Sequence, residues 1–237
     1  MFSAIVKLYG NNVLNKRKDM KEVPAKISAE VKAYVLSENP SFFDEEDSSP
    51  TDDEDDESCL SSIIDTAHDG DTITLKHDER LTSALVVDKN IVLDLNGHNV
   101  FSTETLLKVK STLVIKGNGN VIAGGGGKFV AIHVLDGGKV IINGGAYFVG
   151  SDANTEGNSC ILIEKNGAVE INDGKFSTDL DYNGFYYVLN NSGVAVVKGG
   201  TFVKYNPAVG DVLGNSFVAE GYESVGNGDG TYTVVKI

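Results

Sequence analysis

Residues able to do chemistry are few in this chain, and their spacing is informative. Within residues 58–237 two carboxylate pairs stand one residue apart, Asp69-Gly70-Asp71 and Asp179-Leu180-Asp181. Paired carboxylates are the working groups of glycoside hydrolysis, but two acids so placed in a turn ordinarily bond their own backbone. The turn-forming role is the one expected of both pairs. The four histidines are scattered and none neighbours Cys59 or Cys160, so a nucleophilic pair or a metal set has little support. His133 alternates with Ile132 and Val134 and so faces outward, whereas Cys160, beside Ile161, reads as a small core filler. Gly124-Gly125-Gly126-Gly127 lacks the Lys-Ser/Thr and following helix of a phosphate loop and reads as a corner. Asn190-Asn191-Ser192 has the form of a glycosylation acceptor, a chance match without a secretion signal. These residues predict no catalytic set, metal or cofactor.

The richest polar groups fall in three insertions, Ala123–Lys128, Gly150–Ser159 and Ser177–Gly184. Among them Asp152, Asn154, Asn158, Asp179, Asp181 and Tyr182, with Tyr186 just beyond, put amides and carboxylates beside aromatic rings. Such a mixture suits a sugar, whose apolar face stacks on rings while its hydroxyls bond polar groups. These seven residues are the glycan-binding candidates. The competing reading is a set of solvated loops with tyrosines at the surface.

The elements that must position them emerge from charge and repetition. The chain has 237 residues and a net charge of −14. Residues 1–35 carry seven bases and three acids, residues 38–57 eleven acids and no base, and residues 58–237 thirteen bases and twenty acids. So acidic a chain is not expected to bind nucleic acid or an anionic membrane. No apolar run approaches the roughly 20 residues of a membrane helix. The first residues lack the basic and apolar regions of a signal peptide, so export is not expected. Residues 1–40 are predicted to form an anchor segment. In it, Ile5–Tyr9 reads as a short strand, and a helix opened by Pro24 brings Ile27, Val31, Tyr34 and Val35 to one apolar stripe. So narrow a stripe needs a partner to be stable. Residues 41–57 read as an acidic, self-repelling linker without the spacing of an EF-hand.

Residues 58–237 contain an internal repeat. Short β-type runs end at Leu75, Leu95, Ile115, Ile142, Ile171 and Val197, separated by 20, 20, 27, 29 and 26 positions. The last three are followed in register by Gly145-Ala146-Tyr147, Gly174-Lys175-Phe176 and Gly200-Thr201-Phe202. A second run precedes five of them, as in Leu85–Val87, Leu107–Val109, Ile132–Val134, Ile161–Ile163 and Tyr187–Leu189. Each unit is thus a few short alternating strands joined at glycine corners, and like residues recurring once per unit stack into a continuous core. The physical solution is a parallel β-solenoid. Residues 222–235 read as a terminal hairpin around Asn227-Gly228-Asp229-Gly230.

The stretches Ile64–Leu75, with Asp69-Gly70-Asp71-Thr72-Ile73-Thr74-Leu75, and Val87–His98, with Asn90-Ile91-Val92-Leu93-Asp94-Leu95-Asn96-Gly97-His98, carry a resemblance. They resemble the opening coils of the right-handed parallel β-helix (pectate-lyase-like) family found in phage fibres and tailspikes and in bacterial surface proteins. The resemblance implies an all-β fold: a right-handed solenoid capped by a helix at about Leu60–His68 and by the C-terminal hairpin. Enzymes of that family use calcium-bound carboxylates with an Arg or Lys base, or a tight set of aspartates. This solenoid has one arginine, Arg80, and no such set, so no enzyme is expected. The order of anchor, linker and solenoid is similar to a phage virion protein of head-fibre or auxiliary capsid type. That likeness implies a trimeric homo-oligomer on the particle surface, held to a major capsid or other virion protein by its first segment, with carbohydrate as a ligand. A bacterial surface adhesin and, behind it, a polysaccharide lyase or hydrolase are the alternatives.

Overall fold

The computed structural model describes residues 59–103, 105–125, 130–151, 159–178, 187–210 and 215–237. The predicted anchor and linker lie outside them. One compact unit spans Ser58–Ile237.

A short helix, α1 (Leu60–Thr66), opens the unit. The first coil follows as β1 (Thr72–Thr74), β2 (Glu79–Leu81) and β3 (Leu85–Val87). The second holds β4 (Ile91–Asp94), β5 (Asn99–Ser102) and β6 (Leu107–Val109). The third holds β7 (Thr112–Lys116), β8 (Asn120–Gly125) and β9 (Val130–Val134). In the next two coils the first two strands run together, as β10 (Lys139–Ser151) before β11 (Ser159–Ile163), and β12 (Ala168–Thr178) before β13 (Tyr187–Asn191). A partial coil, β14 (Val194–Val197) and β15 (Thr201–Val203), leads to the hairpin β16 (Tyr222–Gly226) and β17 (Thr231–Lys236).

Among the described residues every pairing between coils is parallel, and only the hairpin pairs antiparallel, β17 with both β15 and β16. The five strands β3, β6, β9, β11 and β13 stack in sequence order, bracketing a β-solenoid of about four turns.

Alternation decides which side chains enter. Leu85, Leu107, Ile132 and Ile161 lie in one register row, and Val100, Val121, Tyr147, Phe176 and Phe202 in another, all turned into the core. Burying each such side chain stabilises the fold by roughly 1.5–3 kcal/mol. The in-register aromatics form a stack: ring centroids are 4.9 Å apart for Tyr147–Phe176 and 5.0 Å for Phe176–Phe202, with planes within 12° of parallel. The glycine before each ring allows the sharp corner, and Gly145, Gly174 and Gly200 have φ of +83°, +126° and +95°.

One detail differs from the sequence reading. Pairing places Ile73 and Leu93 in register with Ile115, two residues ahead of Leu75 and Leu95. A slip of two keeps every side chain on its face, so apolar alternation cannot detect it. Leu95 instead closes the corner, its Cδ1 lying where a Cβ on Gly145 would need to be.

Candidate functional site

Three insertions leave the solenoid at one corner. The strands run in register into the insertions' bounds, with Val149 opposite both Ala123 and Thr178 and Gly150 opposite Gly124. The strands that follow begin in register too, Ser159 opposite Val130 and Tyr187. The glycan candidates Asp152, Asn154, Asn158, Asp179, Asp181, Tyr182 and Tyr186 fall between these points, outside the described residues. So do the anchor candidates Ile27, Val31, Tyr34 and Val35.

Beside that corner runs an outward row that sequence reasoning missed. Arg80, Phe101, Ile122, Phe148 and Ser177 occupy one register position of β2, β5, β8, β10 and β12. Arg80 is exposed, Phe101 and Ile122 are half-buried, and Phe148 keeps 39% of its surface exposed. A depression of about 370 Å³ opens over Arg80, Thr82, Phe101, Thr103 and Ile122. Its apolar floor can take the flat face of a ring, while the guanidinium and rim hydroxyls can bond its substituents. The signal was in the sequence: once Tyr147 is assigned inward, alternation forces Phe148 outward, and the same holds for Val100 and Phe101.

A second, polar trough of about 510 Å³ follows the glycine corner past Asn118, Asn120, Asp173 and Lys175. Amide and carboxylate ladders tie neighbouring coils together at the corners, and Asn120 of one of them lines this trough. Asp78 accepts from the Asn99 N–H at 2.8 Å and from its Nδ2 at 2.9 Å, and Asn99 in turn accepts from Asn120 Nδ2. Asn172 Nδ2 donates to Asn143 at 2.9 Å, and Asn166 Nδ2 to Asp136 at 2.8 Å. Burial opposes ionisation of Asp78, but the Asn99 donors and His98 outweigh it and hold the carboxyl below its ordinary range. The hydrogen bond from Lys198 Nζ, at 2.8 Å, likewise holds Glu170 down and Lys198 up.

The remaining chemical groups are also tied into the scaffold. Asp71 accepts the His68 N–H at 2.8 Å, as a turn-forming acid does, whereas Asp69 reaches the next coil and accepts the Asn90 N–H at 2.7 Å. Glu79 reaches from β2 to accept the Leu60 N–H at 3.3 Å, at the start of α1, where Cys59 makes no side-chain cap. His133 Nε2 lies 2.9 Å from Glu164 Oε1, and Glu164 Oε2 also accepts the Asp136 N–H. Cys160 is fully buried, its thiol donating to the Ser177 carbonyl at 3.1 Å, and burial pushes it up to about 12. Cys59 is the opposite case: exposed, with Ser61 Oγ at 3.0 Å and Ser62 Oγ at 3.4 Å, its thiol is lowered to about 7 by those hydroxyls. Among the described residues no group of three or more His, Cys, Asp or Glu is arranged to hold a metal, and no helix is long and apolar enough to cross a membrane.

No known protein family, curated protein or solved structure matches the chain. The parallel β-solenoid therefore stands on its strand pairing alone.

Proposed function

We propose that this chain is a non-enzymatic structural protein of a virion, of head-fibre or auxiliary capsid type. Its first 40 residues anchor it to a major capsid or other virion protein and gather it into a trimer. Its solenoid is displayed outward, right-handed like the family it resembles, closed by α1 at one end and by the β16–β17 hairpin at the other. The observation that carries this reading is the chain's order: a basic segment, a run of eleven acids without a base, then a solenoid stacked like on like. Support for a non-catalytic role comes from the carboxylates, since Asp69, Asp71, Asp78, Glu79, Glu164 and Glu170 all hold turns, the helix start or neighbouring coils together. Where a host glycan is gripped, the Phe101–Ile122–Phe148 row is the ring platform and the neighbouring insertions supply the polar groups.

Deletion of residues 1–40 tests the reading. The truncated protein should keep the β-type circular dichroism of the full chain and fail to enter particles. Particles that incorporate it at the normal level would refute the anchor.

A further inference from the structure

The large sheet ends at β16, which pairs with β17 and lies last in the strand order. The direction of its backbone groups follows from two bonds. The Asn227 N–H donates to the Thr231 carbonyl at 2.9 Å, and the Ile237 N–H to the Gly221 carbonyl at 3.0 Å. In an antiparallel ladder, bonded residues alternate with residues whose groups face the other way. Glu223 and Val225 therefore turn their N–H and C=O toward β17. Tyr222, Ser224 and Gly226 turn theirs off the end of the sheet. The Tyr222 N–H is taken by the Ala219 carbonyl, but among the described residues nothing takes the N–H of Ser224 or Gly226.

An open edge of this kind invites another strand, and proteins usually block it with proline, a bulge or clustered charge. Tyr222-Glu223-Ser224-Val225-Gly226 has no proline and one charge, Glu223. Two exposed valines, Val225 and Val235, lie on the outer face beside the edge. The Ser224 hydroxyl is buried without a hydrogen-bond partner, the cost such a group carries until it finds one.

We propose that β16 pairs antiparallel with β16 of a second copy of this chain, about a two-fold axis through Ser224. The strand is self-complementary in that register. Ser224 faces Ser224 of the second copy and exchanges both N–H···O bonds with it. Each Gly226 N–H reaches the Tyr222 carbonyl across the axis, making four bonds in all. Glu223 falls opposite Val225, so no like charges meet, and the Tyr222 ring lies opposite a glycine that has no side chain to obstruct it. A rotation about χ1 lets the two Ser224 hydroxyls bond each other. The axis stands perpendicular to the sheet, which makes the contact tail to tail. A registration through Tyr222 or Gly226 would halve the overlap, and a second copy is the one strand that always brings side chains fitting this register. The contact is small and therefore weak in dilute solution, gaining strength where many copies are held close. It rests on the hairpin alone, independent of the virion reading.

Sedimentation of the full chain over a range of concentrations, with amide exchange read residue by residue, tests the proposal. The expected result is a doubling of particle mass with concentration, whatever the starting assembly. The Ser224 and Gly226 amides should slow in step with it, while the Val225 amide, already bonded to β17, stays slow throughout. Ser224→Pro removes an N–H the hairpin does not use and should weaken the doubling at least tenfold with an unchanged melting temperature. Should that variant melt early, the wild-type exchange pattern decides alone. Mass independent of concentration up to the millimolar range would overturn the proposal. So would doubling that leaves the Ser224 and Gly226 amides fast, or doubling that survives in a folded Ser224→Pro variant.

Discussion

The two cysteines show how far one environment can separate chemically identical side chains. Cys59 stands in water beside two serine hydroxyls that stabilise its thiolate, whereas Cys160 sits fully buried where a charge has no solvation. At pH 7 about half of Cys59 is thiolate, by its lowered value of about 7. Iodoacetamide at that pH should therefore label Cys59 in the folded protein and leave Cys160 untouched until denaturant is added. Ser61→Ala removes the first of the two hydroxyls and should slow labelling several-fold at pH 7, with a smaller effect at pH 9.5. Equal labelling of both cysteines in the native state would contradict the burial of Cys160, and an unaltered rate in Ser61→Ala would contradict the role of that hydroxyl.

At the scale of the strand and corner, polar ladders do between coils what the apolar rows do inside. Asp78 and Glu170 both have carboxyls held below their ordinary values of 3.8 and 4.5. A carboxylate depressed in the folded state stabilises it fully above the unfolded value and loses that contribution as pH falls through the folded one. The melting temperature should thus be steady from pH 7 to about 5 and fall progressively below about 4.5. Asp78→Asn and Glu170→Gln together should flatten that fall, and a fall as steep as that of the wild type would place its origin elsewhere. Lys198, whose value is raised, adds a loss at the alkaline end, where pH passes upward through its folded value. The ladders were legible only in part. Asn143 and Asn172 are 29 positions apart, like the aligned Ile142 and Ile171, whereas Asn99 and Asn120 are 21 apart where the repeat reads as 20, and only the true register brings them together. The buried rows were legible, because two-residue alternation and recurring glycine corners are local. The register of the first two coils was not, since a shift of two leaves that pattern unchanged. The outward row at Phe101 and Phe148 follows from the same alternation, but one outward ring per coil is a fainter signal than the charged and aromatic composition of the loops.

Across the whole unit, each coil contacts mainly the coil before and the coil after it, so stability is nearly one-dimensional. The aromatic stack crosses two such boundaries without a gap between Tyr147 and Phe202. Phe176 is its middle member, fully buried with a ring on either side. Phe176→Ala should cost about 3–5 kcal/mol, and the loss should be local. Amide exchange should rise first from β12 to the C-terminus while β1 to β9 keep their protection. A uniform loss of protection along the chain would mean that the solenoid unfolds as one body and that its coils are not separable in energy.

The corner from which the three insertions leave has a consequence for how such a molecule can change length. Neighbouring strands stand about 4.8 Å apart however many residues separate them. The coil from Ile73 to Leu93 uses 20 residues and the coil from Ile142 to Ile171 uses 29, yet each advances the chain by the same single step. Extra residues between paired strands leave that step untouched. Reach is therefore counted in whole coils, like rungs, and surface is counted in residues. The two quantities can be altered separately, one by duplicating a coil and the other by lengthening a loop.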